Sequence, residues 1–147
     1  MDDFSVNNAI FVKILKKGPP MYSGKFSIRA RIRSFKYAFR GLWWVLRKEH
    51  NFRIHLAFVV ILIPLCILLR ISLTEWALIT LCIGLVLSME LVNSAIELLA
   101  DKFSLKRDPV IGKIKDIAAA AVLISAIAAA AVGLIILVPK FIILLGR

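Results

Sequence analysis

Residues 117–138 read IAAAAVLISAIAAAAVGLIILV, an apolar run relieved by a single serine and a single glycine and followed at once by Pro139. Nothing in it is charged, and at about 1.5 Å per residue a helix of this length crosses the roughly 30 Å hydrocarbon core of a bilayer. Two further runs of the same character precede it. Every residue of 56–69 is apolar. With Asn51 and His55 on one side and Arg70 on the other, a helix over about 50–71 is just long enough to span. Residues 76–89 are interrupted only by Thr80, Gly84 and Ser88, and the helical pattern continues past Glu90 to about Ala100. The expected spans are therefore about 50–71, 74–101 and 111–138, with Pro139 stopping the third.

Composition agrees. The chain has 147 residues, 61% of them hydrophobic, and a mean hydropathy of +0.88, whereas soluble domains use roughly 45–50% apolar residues. The fold class is all-α and integral to the membrane, with one membrane domain over residues 25–147. The alanines at 118–121 and 126–131 give the third span small faces, which allow close helix packing in lipid. Cys66 and Cys82 lie inside apolar runs with no metal-ligand spacing around them and read as buried free thiols.

Orientation follows from the basic residues. Residues 1–53 carry twelve of the 20 Lys and Arg, residues 102–115 carry five, and Arg70, Lys140 and Arg147 make up the rest. The positive-inside rule puts the N-terminus and the second loop in the cytoplasm and the 70–75 loop and C-terminus outside. An odd number of spans satisfies this. No cleavable signal is expected, because the apolar stretch at 9–12 is too short and its charges follow it. The first span then acts as the insertion signal.

The net charge of +11 is explained by topology and by anionic lipid rather than by nucleic acid. Gly18, Pro19 and Pro20 break the chain, so residues 1–24 are expected to form a mobile N-terminal extension. A surface helix is expected over about 27–48. Ile32, Phe35, Phe39, Leu42, Trp43 and Leu46 share one face of it, and Arg29, Arg33, Lys36, Arg40 and Arg47 form a cationic stripe beside them. That pattern describes a helix lying in the membrane interface with its cations on lipid phosphates. Trp43, Trp44 and Trp76 read as interfacial anchors. His50 and His55 flank a helix start and read as interfacial residues, and Met89 as packing.

The chemistry lies in the acidic residues, of which there are nine. Asp2 and Asp3 belong to the extension. Glu90, Asn93, Glu97 and Asp101 fall within about 80° of arc, one polar stripe on an otherwise apolar helix, and Asp116 lies across the loop. Counted from Trp76, Glu90 is about 21 Å along the helix. A carboxylate in the membrane costs roughly 2.5–3.5 kcal/mol on insertion scales. A carboxylate at the lipid boundary can take a proton from a hydroxyl, and one nearer water can hold Mg²⁺ with a second acid. Glu90 suits the first role. Glu97 suits the second, with Glu49 at the foot of the first span as its partner. Lys115 and Asp116 border the same pocket and are placed to contact a nucleotide.

Three readings of this stripe remain open on position alone. The acids can pair with Arg53, Lys102 and Lys115 and merely hold a bundle together. A lone membrane glutamate can serve a proton-coupled exporter, although Glu90 would then be nearer the midplane. The third reading is an enzyme acting on a lipid hydroxyl. No Walker A loop is present, since Gly112-Lys113 lacks the upstream glycine and the following Ser or Thr.

The segment Glu90-Leu-Val-Asn-Ser-Ala-Ile-Glu97, followed by Asp101, resembles the E-x-x-N-[ST]-A-[IV]-E-x-x-x-D signature of the prokaryotic diacylglycerol kinases, the family that also contains undecaprenol kinases. Lys115-Asp116 ahead of a small-residue run, Asn51-Phe52-Arg53 after Glu49, and Tyr37 to Leu42 on the surface helix are similar too. The likeness extends over about residues 30–140. It implies a homotrimer of three-span subunits in the bacterial cytoplasmic membrane, with active sites between subunits facing the cytoplasm. These would transfer the γ-phosphate of Mg-ATP to a lipid alcohol. It further implies Glu90 as catalytic base, Asn93 as its support, Glu49 and Glu97 as ligands of Mg²⁺, and Tyr37, Lys115 and Asp116 as nucleotide contacts. Ala118 and Ala119 stand where the diacylglycerol enzymes have Gly-Ser, and residues 106–108 differ from their acidic and aromatic loop. Both features, with Asn51-Phe52-Arg53-Ile54-His55, look more like the undecaprenol kinases. Undecaprenol is therefore the expected acceptor ahead of diacylglycerol.

Overall fold

The apolar runs become helices because a chain in lipid must satisfy its backbone groups internally. The computed structural model describes residues 27–103 and 108–146. The extension expected over 1–24, and Lys106 and Arg107 of the second loop, lie outside the described residues. Among the described residues there are four helices: α1 Ile28–Lys48, α2 His50–Leu68, α3 Leu73–Phe103 and α4 Pro109–Leu145. The last three are long and apolar enough to cross a membrane. The chain forms two units, residues 1–37 and 38–147.

Each helix boundary has a local cause. Arg47 and Lys48 close α1, where cations favour the helix dipole. Glu49 alone separates α1 from α2. Its backbone is extended at φ −91°, ψ 119°, and its side chain makes no capping hydrogen bond. Its N–H donates to the Val45 carbonyl at 2.8 Å. At the opposite end of α2, the Arg70 N–H donates to Ile67 O at 3.1 Å and the Ile71 N–H to Cys66 O at 3.3 Å. This is the Schellman pairing, and Arg70 holds the left-handed position at φ 49° that glycine usually fills. Ile71 and Cys66 pack in the same core cluster, which supplies the apolar contact of that motif.

The next helix opens on a capping box. The Ser72 N–H donates to Glu75 Oε2 at 2.6 Å, and the Glu75 N–H donates to Ser72 Oγ at 3.3 Å. At the start of α4, Asp108 Oδ1 accepts from the Val110 N–H at 2.7 Å, with Pro109 in the first turn, where its missing N–H costs nothing.

Pro139 does not stop the third span as its sequence position suggests. It lies inside α4, which continues to Leu145. A proline in the interior loses one hydrogen bond, but leaving the helix at that point would expose several backbone groups. Lys140 Nζ also reaches Glu75 Oε2 at 3.1 Å, tying the residue after the proline to the capping box of α3.

Two packing zones result. At the Arg70 end, Cys66, Leu69, Ile71, Ile79 and Ile136 form the apolar core. Toward the other end, α3 and α4 make the most extensive helix contact, with Ser94 and Ala100 buried on α3 and Ala118, Val122 and Ser125 buried on α4. The two hydroxyls are satisfied within their own helices: Ser94 Oγ donates to Glu90 O at 2.9 Å and Ser125 Oγ to Val122 O at 2.7 Å. They can therefore sit in a tight contact without an unpaired donor. On α1 the apolar face is exposed, from Ile28 to Trp43, while Val45 is buried. Arg47 lies 4.4 Å from the Trp43 ring centroid, a cation–π contact.

The left-handed residue gives a direct test. A side chain at positive φ costs about 1 kcal/mol that glycine avoids. Arg70→Gly should therefore raise the thermal midpoint in detergent, and Arg70→Val, branched at Cβ, should lower it. Circular dichroism melts of the two variants beside the wild type give the order.

Candidate functional site

The polar stripe of α3 is graded. Glu90 is 3% exposed and Asn93 7%, Glu97 is half-buried, and the Asp101 side chain is 67% exposed. One chain already covers Glu90, Asn93 and Ser94. The small residues of α4 let that helix approach closely enough to do so.

Glu90 faces a histidine. Its Oε1 lies 3.2 Å from His55 Nε2 on α2, with side-chain exposures of 4% and 26%. His55 is thus more than the interfacial residue its position in the sequence suggests. The pairing joins residues of different helices, so no spacing rule exposes it. The available signal was a polar ring beside an unbroken apolar run, on the helix that Glu49 begins. Glu97 and Glu49 are also close enough to act electrostatically on Glu90. Three carboxylates and a histidine, drawn from α2, α3 and the α1–α2 junction, therefore share one neighbourhood.

Asn93 was the expected support of Glu90, but its Nδ2 donates to Glu97 Oε1 at 2.9 Å. The i to i+4 spacing brings the two side chains together on the helix surface. That bond fixes the orientation of the amide, since only the N–H end can meet a carboxylate. Asn93 Oδ1 is left buried without a hydrogen-bond partner among the described residues. An unpaired buried acceptor costs about 1–3 kcal/mol, so a donor arriving there is stabilised.

Lys115 Nζ donates to Asp101 Oδ1 at 2.6 Å, and Glu97 also acts on it electrostatically. The structure thus brings Lys115 to the exposed end of the stripe, and the bundle-holding reading accounts for this one pair. Asp116, its chain neighbour, is exposed on α4 and, among the described residues, is not brought into the cluster. Tyr37 is 56% exposed on α1 and belongs to the unit 1–37.

A Mg²⁺ ion on Glu49 and Glu97 is chemically compatible with these residues. Both offer carboxylate oxygens, Glu97 is held by Asn93, and the Glu49 side chain is not used to cap α2. Among the described residues no three His, Cys, Asp or Glu gather into a metal cage. Mg²⁺ commonly takes only one or two carboxylates and completes its shell with substrate phosphates and water.

Beside Glu90 lies an apolar cavity of about 600 Å³ between α2, α3 and α4. His55 stands in its wall, with Phe58, Val86, Ala130 and Gly133 among the other lining residues. The cavity therefore reaches the histidine that meets the buried carboxylate.

Comparison with known proteins identifies the family. The family described as prokaryotic diacylglycerol kinase matches residues 36–137. An undecaprenol kinase of Bacillus subtilis (strain 168) is 39% identical over 108 residues, covering 74% of this chain and 88% of that protein. A diacylglycerol kinase of Pseudomonas aeruginosa is 35% identical over 103 residues, covering 70% and 84%. One of Synechocystis sp. is 38% identical over 107 residues, covering 72% and 61%. Glu49, His55, Glu90, Asn93, Glu97, Asp101 and Lys115 all lie within the matched residues, and the chain belongs to the prokaryotic diacylglycerol kinase family of integral membrane lipid kinases.

Proposed function

We propose that the chain transfers the γ-phosphate of ATP to the hydroxyl of undecaprenol, giving undecaprenyl phosphate and ADP. The observation that carries this reading is a carboxylate buried to 3% exposure beside an apolar cavity, with further acids toward the exposed end of the same helix. The undecaprenol kinase of Bacillus subtilis at 39% identity and the Ala118-Ala119 pair favour a polyprenyl alcohol. Diacylglycerol is the alternative, since other relatives are diacylglycerol kinases.

In this mechanism Glu90 accepts the proton of the lipid hydroxyl as the oxygen attacks phosphorus. The new O–P bond forms while the bond from the γ-phosphorus to the bridging oxygen breaks, and ADP leaves with that electron pair. Glu49 and Glu97 hold Mg²⁺, and Asn93 fixes the Glu97 carboxylate. When bound, the ion neutralises charge on the phosphates. Lys115 and Asp116 meet the nucleotide at the exposed end, and Lys115 exchanges its contact with Asp101 for phosphate. The lipid chain lies along the cavity, with its hydroxyl at Glu90.

The working form is a homotrimer in the bacterial cytoplasmic membrane, with the N-terminus and site toward the cytoplasm. The exposure of Asp116 and the partial exposure of Glu49 and Glu97 suit a site completed by a neighbouring subunit. The cations of α1 rest on anionic lipid headgroups.

Three outcomes follow. Purified protein in micelles with Mg-ATP should phosphorylate undecaprenol in preference to diacylglycerol when both are supplied, and Glu90→Gln should lower kcat about 10²–10⁴-fold while nucleotide still binds. Full activity in Glu90→Gln would sink the base assignment. Glu49→Gln and Glu97→Gln should each raise the Mg²⁺ concentration needed for half-maximal rate, with chelator abolishing turnover in all forms; an unchanged requirement in either variant removes that residue from the ion. Gly133 lines the cavity and a Cβ there meets nothing within 4 Å, so Gly133→Leu narrows the cavity. It should raise KM for the lipid several-fold and leave KM for ATP unchanged.

A further inference from the structure

The Glu90 carboxylate is buried, and a base must present one oxygen to the acceptor within about 2.6–3.2 Å. The stripe itself does not supply that constraint. Asn93 is engaged by Glu97. Ser94 donates to the Glu90 backbone carbonyl rather than to its side chain. Lys115 is taken by Asp101. The other charges acting on Glu90 are Glu97 from its own helix and Glu49 from the α1–α2 junction, and both repel it.

We infer that His55 is the positioning residue of Glu90: its Nε2–H, 3.2 Å away, holds Oε1 so that Oε2 is turned to the lipid hydroxyl. This rests on the reading of Glu90 as base. Three features suit the role. His55 comes from α2, so the bond ties the base to a second helix and does not follow the motions of α3 alone. The ring is half-buried and set in the wall of the cavity with Phe58 and Val59, which limits its rotamers. Donation from Nε2 also fixes the tautomer of the neutral ring, leaving Nδ1 as acceptor. A base held in this way keeps its reacting oxygen within the narrow range that proximity requires, where a displacement of about 1 Å can cost 10²-fold in rate.

The test compares His55→Gln, His55→Asn and His55→Leu with wild type in micelles, using Mg-ATP and undecaprenol. Glutamine carries an amide N–H near the place of Nε2; asparagine is too short to reach, and leucine has no donor. The expected result is a kcat about 10–100-fold lower for His55→Leu and His55→Asn, with KM for ATP unchanged, and recovery of most of the rate in His55→Gln. Adding His55→Leu to Glu90→Gln should cause no further loss, because the positioned group is already absent. A folded His55→Leu with kcat within twofold of wild type overturns the inference, as does equal impairment of the Gln and Asn variants. If His55→Leu does not fold, the Gln and Asn pair decides alone. Should Glu90→Gln stay active, the base reading fails. If Glu90→Gln is inactive while His55→Leu is fully active, only the positioning role fails.

Discussion

A carboxylate inside a lipid-embedded bundle must find its partners within the protein, and the organisation of this chain follows from how Glu90 finds them. Its Oε1 is met by His55 from α2, its helix is pressed against α4 through Ser94 and Ala100 on one side and Ala118, Val122 and Ser125 on the other, and its side chain is left 3% exposed. The last two depend on small residues. Bulky side chains at 118 or 125 would hold α4 away, and water or lipid would reach the acid. The cost of burying a polar group is set by whether it is paired. The serines lining the contact add no such cost, because each hydroxyl bonds within its own helix.

The opposite end of the bundle supplies rigidity. Cys66, Leu69, Ile71, Ile79 and Ile136 form a dry cluster, and the Schellman turn around Arg70 and the capping box of Ser72 and Glu75 fix the path of the chain between α2 and α3. The Glu75 to Lys140 pair fastens α4 to the same corner. With that corner fixed, the register of α3 against α4 is fixed along its length. His55 and Glu90 then meet although they are 35 positions apart in the chain.

Local periodicity carries some of this and not the rest. The three spans and the stripe of Glu90, Asn93, Glu97 and Asp101 are visible because each is a property of one helix, and a 3.6-residue period records it. The His55 pairing is not, because it depends on how two helices pack. Nor could spacing choose a partner for Asn93, which lies three residues from Glu90 and four from Glu97 on one face. Arg70 marks the end of the first span, but the left-handed turn it makes there is one that glycine would have announced. Pro139 misleads in the other direction, since the rule that proline ends helices is written for chains with water available to the freed carbonyls. Glu90, Asn93, Glu97 and Asp101 were thus legible as one stripe, while His55 and the bonds among these residues were not.

Helix length explains why the acids are tolerable at all. The 31 residues of α3 extend about 46 Å and the 37 of α4 about 55 Å, against a hydrocarbon core of about 30 Å. Both must protrude. If Leu73 lies near one boundary, where the capping box and the Glu75 pair are placed, Glu90 is about 26 Å along the helix and Asp101 about 42 Å. Glu90 then sits just inside the hydrocarbon, with Glu97 and Asp101 beyond it in the headgroups and water, the order in which their exposure rises. A lipid hydroxyl and a nucleotide have opposite solvent preferences, and a single helix graded in this way offers each a carboxylate on its own side of the boundary. In the proposed kinase the two substrates need not share a solvent, because α3 extends through the interface between them.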